Sequence, residues 1–273
     1  MKWLIHHYHQ VRNGITAFVG AMVILSALKV PGTSTLAAAG LFLLVFFLAV
    51  VGKKLSAAIG EGTVEFYRDC DPDPLLATCD KLLAGAGEDC RSPYVINLRT
   101  SRVNTLQALG RAGEAEEELN RLEALMPRKK GEEEVVLCRY ARLTANLDRG
   151  LTVGGEAAIA EMRGMLEACR TPSIFAGLTW AEVLGRLLDL SECRLNLINC
   201  GPVPALEGRL KELIPTLPGA LYQVQGAWLL GEYHMARGEY NRAKKPLAFA
   251  AERGGKTETA RKARRTLDSV AAR

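Results

Sequence analysis

No aspartate or glutamate precedes Glu61, although the 273-residue chain carries 30 acidic residues. Only Lys2, Arg12, Lys29, Lys53 and Lys54 bring positive side chains to that stretch. A composition break this sharp marks a change of solvent, from lipid to water. Two apolar runs fill the acid-free region, about Asn13–Val30 and Thr35–Gly52. Each rises ~27 Å as a helix, close to the ~30 Å hydrocarbon core of a bilayer. Pro31-Gly32-Thr33-Ser34 between them is a turn sequence, and no charge occurs from Val30 to Gly52. Leu41–Leu48 is apolar on every side, unlike the one-sided stripe of a helix on a water-facing domain. The expected architecture is therefore all-α. A two-helix transmembrane hairpin occupies residues 1–54, a linker helix 55–70, and a helical-repeat domain 71–273.

The basic residues set an expected orientation. Lys2, Arg12 and the terminal amine precede the hairpin, Lys53 and Lys54 follow it, and Lys29 sits where it can snorkel from the connecting turn. The positive-inside bias predicts a multi-pass cell-membrane protein with both termini and the repeat domain in the cytoplasm. Arg12 lies too late for a signal-peptide n-region, so the first run reads as an anchor. Trp3 and Tyr8 suit a membrane interface. Seven cysteines, odd in number and with no CxxC pair, read as free thiols in a reducing compartment. After Lys29, 32 basic residues stand against 30 acidic ones, a balance that excludes a nucleic-acid footprint.

From Glu61 onward apolar residues recur at helical spacing. Ala115, Leu119, Leu122 and Met126 form one stripe, and Ile159, Met162, Leu166 and Cys169 another. Tyr240, Ala243, Leu247 and Ala250 form a third, and Ala260, Ala263, Leu267 and Val270 a fourth. Asp71-Pro72, Ser92-Pro93 and Thr171-Pro172 read as helix starts. Gly113, Gly131, Gly154-Gly155, Gly201 and Gly238 read as breaks. Short turns between helices of this kind predict an α-solenoid.

Ala227–Ala243 resembles a tetratricopeptide repeat. Leu230-Gly231 holds the Leu-Gly pair of the first helix, Gly238 the turn, and Tyr240, Ala243, Leu247 and Ala250 the second helix. The small Gly231 and Ala243 allow two helices to approach, and Leu230, Tyr240 and Leu247 fill the seam. His234 departs from the usual Tyr, and no Pro closes the repeat near Gly255. Leu109–Leu122 resembles a degenerate second copy if Gly113 is aligned with Gly238, which puts Leu106 in the glycine slot and Glu118 in the small-residue slot. The pairs near 132–170 and 173–215 match in length alone, and 256–272 reads as a capping helix. The resemblance implies a concave groove that binds peptides or protein partners, carrying Gln225, Trp228, Glu232 and Met235 to it.

Residues that invite chemistry have plainer readings. Gly254-Gly255-Lys256-Thr257 ends like a phosphate loop but follows a helix and has Ala250 where the first glycine belongs. His6, His7 and His9 lack a carboxylate or thiol partner, so they form no metal site. Asp69, Asp71 and Asp73 lack the glycine and distal glutamate of a calcium loop. His234 falls one helical step from Leu230 and reads as a packing residue. Arg261, Lys262, Arg264 and Arg265 read as a solvated face, with anionic lipid headgroups as the alternative. The expectation is a membrane-anchored adaptor or scaffold binding protein partners beside the lipid bilayer, with no catalysis, cofactor, metal or nucleic acid. The alternative is a structural accessory subunit that acts through its transmembrane hairpin.

Overall fold

The computed structural model describes residues 8–28, 33–47, 53–84, 93–126, 133–166, 173, 175 and 177–271. The fold is all-α, with thirteen helices among these residues. They are α1 (Tyr8–Ala27), α2 (Thr33–Phe47), α3 (Lys53–Asp69), α4 (Asp73–Leu83), α5 (Pro93–Ala108), α6 (Ala112–Leu125), α7 (Glu133–Asp148) and α8 (Gly155–Leu166). The remainder are α9 (Trp180–Cys200), α10 (Pro204–Leu213), α11 (Gly219–Ala236), α12 (Tyr240–Arg253) and α13 (Glu258–Ala271).

Helices α1 and α2 pack on each other as a hairpin, with Gly40 against Phe18 and Val19. Its outer surface is apolar, and Phe18, Ile24, Leu41, Phe42, Leu43, Val45 and Phe46 are all exposed. No helix among the described residues is long and apolar enough to cross a membrane. The two expected spans are thus present as a helical hairpin, not as established membrane crossings. Part of the reason is length. The described part of α2 has 15 residues, a rise of ~22 Å against a ~30 Å core, and residues 29–30 and 48–52 of the expected spans lie outside the described residues. His6, His7, Trp3, Ser92, Gly131, Thr171 and Pro172 lie outside them as well.

Beyond the hairpin, five helix pairs follow one register. Helices α5, α7 and α11 each end at a glycine with φ near +72°, Gly110, Gly150 and Gly238. At each, the next N–H reaches back five residues: Arg111 to Leu106, Leu151 to Asn146 and Glu239 to His234, all at 2.9 Å. This is the Schellman closure, which needs a left-handed residue that glycine supplies without strain. Counting from these turns, the second helices bury the same positions: Ala115, Leu119 and Leu122; Gly155, Ile159 and Met162; Ala243, Leu247 and Ala250. Gly201 heads a fourth set, Leu206, Leu210 and the half-buried Leu213. Cys70, at φ +55°, heads a fifth, Leu75, Cys79 and Leu82. The turn is therefore at Gly110, and Gly113, expected to mark the break, sits inside α6. The turns at 70, 110 and 150 are also spaced more widely than the 34-residue tetratricopeptide period.

The helices do not form an open solenoid. The expected linker helix, α3, packs on both α4 and α11 and buries Phe66. Lys256 N–H donates to the Cys70 carbonyl at 3.2 Å, and its ammonium bonds Asp71 at 2.8 Å and Asp73 at 3.0 Å. A Cβ on Gly255 would lie 2.6 Å from the Cys70 carbonyl oxygen, so only glycine allows this approach. The side chain of Glu258 lies against Gly110, and Arg261 donates to the Leu109 carbonyl. The first pair thus meets the last, and one apolar core is the closure itself, with Phe66, Leu75 and Leu98 against Leu221, Val224 and Leu247. The larger core, around Leu184, Leu187, Leu188 and Tyr233, joins α7 through α11. The start expected at Thr171-Pro172 falls outside the described residues, and helix α9 starts at Trp180. Thr179 and Glu182 form a reciprocal capping box there, satisfying two otherwise orphaned N–H groups.

Candidate functional site

The first helices of the five pairs, α3, α5, α7, α9 and α11, turn one face to the centre of the ring. With the start of α6 and α13, they enclose a cavity of about 310 Å³. Aromatic wall comes from Phe66, Tyr140, Tyr222 and Trp228, and uncharged polar wall from Asn104, Gln107, Thr144, Ser191 and Gln225. The shared register places them. Asn104, Thr144 and Glu232 stand six residues before Gly110, Gly150 and Gly238, while Tyr140, Ser191 and Trp228 stand ten before Gly150, Gly201 and Gly238.

Hydrogen bonds fix most of this lining. Gln107 Nε2 donates to the Ala141 carbonyl at 2.9 Å, and Thr144 Oγ1 donates to the same oxygen at 2.9 Å. Ser191 Oγ donates to the Leu187 carbonyl at 3.0 Å. Just behind the wall, the Tyr67 ring packs against Tyr222 and Phe175, with centroids 5.5 and 5.4 Å apart. Burial pushes the phenols of Tyr67, Tyr140 and Tyr222 up, so all three stay protonated at neutral pH and keep their hydrogen-bonding protons.

Four acids line the cavity, and three are neutralised by the protein. Asp148 pairs with Arg194 at 2.7 Å, and Glu116 with Arg142 at 2.5 Å and Arg149 at 3.3 Å. Glu258 pairs with Arg261 and Arg265, each at 2.8 Å. Among the described residues, Glu232 has no cation within ion-pair distance. Its neighbour one helical turn back is Trp228. Burial pushes the Glu232 carboxyl up, opposed by the more distant charges of Arg194 and Lys262. The site is therefore a chamber of satisfied polar groups and aromatic faces around one uncompensated carboxylate.

Of the expected groove residues, Gln225, Trp228 and Glu232 line this cavity. Met235 does not; it is half-buried against the closure core, which Trp228 also touches. Asn104, Gln107, Tyr140, Thr144 and Ser191 escaped the sequence reading because only one repeat was in correct register there. Equal spacing from the turn residues is the signal that would have found them.

The remaining candidates are structural. His234 Nδ1 lies 2.8 Å from Glu239 and its Nε2 3.9 Å from Glu207, and the three ligand atoms fall within 4.8 Å of one another. The two ring nitrogens address different carboxylates, so a single metal ion could not use the set while those contacts stand. Lys211, Arg237 and Arg242 already neutralise the two acids, making an ion-pair knot that ties α10 to α11 and α12. Gly254–Thr257 is a helix-capping turn, with Thr257 Oγ1 bonded to the Gly254 carbonyl at 2.7 Å and accepting from Ala260 N–H at 3.3 Å. The cation held by Asp71 and Asp73 is the ammonium of Lys256. In α13, Arg261 and Arg265 are paired with Glu258, and Arg264 donates to backbone carbonyls of Ala251 and Gly255. Of the described cysteines, Cys70, Cys79, Cys138 and Cys193 are buried and Cys200 is exposed, all as free thiols. No family model, curated protein or solved structure matches this chain.

Proposed function

We propose that this chain is a membrane-tethered, tetratricopeptide-like adaptor whose central cavity receives a short element of a cytosolic protein or peptide partner. The observation that carries the reading is the convergence of five equivalent helices on one chamber, with Gln225, Trp228 and Glu232 in its wall. Binding sites are concave, part aromatic, and carry a few fixed polar groups. The Leu-Gly pair and small residues of α11 and α12 support the repeat assignment. The tether is supported by the hairpin's exposed apolar surface, where Phe42 is 70% and Ile24 63% exposed, a cost in water that lipid removes. Its flanking lysines and Arg12 favour cytoplasmic termini. No catalysis, cofactor or metal forms part of the proposal.

The test is a photoreactive residue at position 225 of the full chain in living cells, followed by mass spectrometry of the adducts. A discrete cytosolic partner is expected, and self-adducts alone would refute the adaptor reading. An impermeant maleimide that labelled Cys200 in intact cells would refute the orientation. The same exposed hairpin surface favours a second reading, an accessory subunit that packs into a larger membrane complex. Assembly of such a complex by residues 1–54 alone would establish it.

A further inference from the structure

We infer that the central cavity recognises a primary ammonium group, an amino terminus or a lysine side chain, which pairs with Glu232 beside the Trp228 indole. The inference rests on the adaptor reading and names what the chamber selects.

Size comes first. A helix with its side chains is ~10–12 Å across, so a peptide helix cannot enter 310 Å³. Ring closure removes the long open groove that an extended segment would need. What fits is the tip of a partner, a chain end or one side chain. Charge comes next. Asp148, Glu116 and Glu258 are each held by arginines, whereas among the described residues the Glu232 carboxylate has no ion partner. A half-buried carboxylate without a counter-ion is costly, and a ligand cation removes that cost. The lining cation without an ion pair, Lys262, is solvent-exposed and needs no partner. A ligand anion would therefore gain less there than a ligand cation gains at Glu232. Shape supplies the third argument. Trp228, one helical turn before Glu232 on α11, offers a π face beside the carboxylate, and such faces attract ammonium groups.

The experiment uses the full chain in nanodiscs and three alanine tetrapeptides with a C-terminal fluorophore, read by anisotropy. One has a free amino terminus, one a capped terminus and a single lysine, and one a capped terminus without lysine. At least one ammonium peptide is expected to bind tenfold or more tightly than the fully capped peptide, and which one does so identifies the source. Glu232→Gln is expected to erase the discrimination while the protein stays folded, as checked by circular dichroism. Trp228→Ala, which removes the π face, is expected to weaken it in part. Equal binding of all three peptides overturns the ammonium inference but leaves the cavity as a peptide site. Binding of none overturns the inference, and the adducts from position 225 then decide separately whether the adaptor reading survives.

Discussion

A single methyl group added at Gly231 probes the seam between α11 and α12. An ideal Cβ there would lie 2.5 Å from Leu247 Cδ2 and 2.7 Å from its Cγ, where ordinary contact begins near 3.4 Å. Leu247 is fully buried with Ala243 and Ala250 against it, so its branch point has no room to move aside. Ala is favoured over Gly within a helix by ~1 kcal/mol, and overpacking a core costs ~1–3 kcal/mol. Because Cγ as well as a terminal methyl is in the way, the upper part of that range applies, and Gly231→Ala should destabilise by about 1–2 kcal/mol. For a domain of this size that is a fall of roughly 2–4 °C in Tm per kcal/mol. Gly185, inside α9 with nothing within 4 Å of the position a methyl would take, is the control, and Gly185→Ala should stabilise by up to ~1 kcal/mol. Leu247→Ala alone should cost ~2–5 kcal/mol, and the double substitution should cost less than the sum by ~1–2 kcal/mol, since the shortened side chain admits the methyl. Thermal melts of the four variants measure all of this. A Gly231→Ala protein as stabilised as Gly185→Ala, or strict additivity in the cycle, would refute the reasoning.

Three further outcomes are expected. Glu232, whose folded-state carboxyl is raised, withholds stability when ionised, so the cost is present above its folded pKa and vanishes as pH falls to the unfolded value near ~4.3. Glu232→Gln should therefore raise the melting temperature at pH 7.5 and lose that advantage by pH 4; an equal gain at both would be contrary, given that Arg194, Lys262, Asp148 and Trp228 all face this group. The buried Glu118 pairs with Arg99 at 2.6 Å and with Arg102 at 2.8 Å, and Arg99 Nε has no hydrogen-bond partner. Glu118→Ala should cost ~3–5 kcal/mol in a denaturation experiment, whereas Arg99→Met with Glu118→Leu should cost less, because Arg102, which also loses Glu118, keeps Asp80. Burial pushes the thiols of Cys70 and Cys193 to about 11 and those of Cys79 and Cys138 to about 12. Maleimide should modify Cys200 in the native protein and leave these four untouched until unfolding, and peptide mapping that found Cys79 modified at the rate of Cys200 would contradict the packing.

Helical periodicity located the second helices well, because Ala115, Leu119 and Leu122, or Ala243, Leu247 and Ala250, face a seam that must be apolar whatever the topology. The repeat register was harder. Gly113 resembles a breaker in composition, but the turn needs a residue at positive φ, and that is Gly110. The first turn was invisible, since Cys70 adopts that conformation without being glycine. The start of α9 was readable from Thr179 and Glu182, a capping-box spacing, and Thr171-Pro172 drew attention away from it. Glu232 and Trp228 were legible through the family resemblance of one repeat, and their counterparts Thr144 and Tyr140 follow only once Gly150 is recognised as equivalent to Gly238. Ring closure depends on Asp71 and Asp73 meeting Lys256, a pairing between distant parts of the chain that no local pattern encodes.

That closure changes how the domain must come into being. In an open array of repeats each unit rests on its neighbour, so growth can begin anywhere, and stability adds up along the row. Here α3 and α4 are synthesised first, yet their final neighbours, α11, α12 and α13, are synthesised last. Until then the apolar edge formed by Phe66, Leu75 and Cys79 has no lasting cover. Early release would leave that edge exposed for association with other chains. Loss of α13 would remove Glu258 and Arg261 from Gly110 and Leu109 and loosen the second pair as well as the last. The first pair waits for the last.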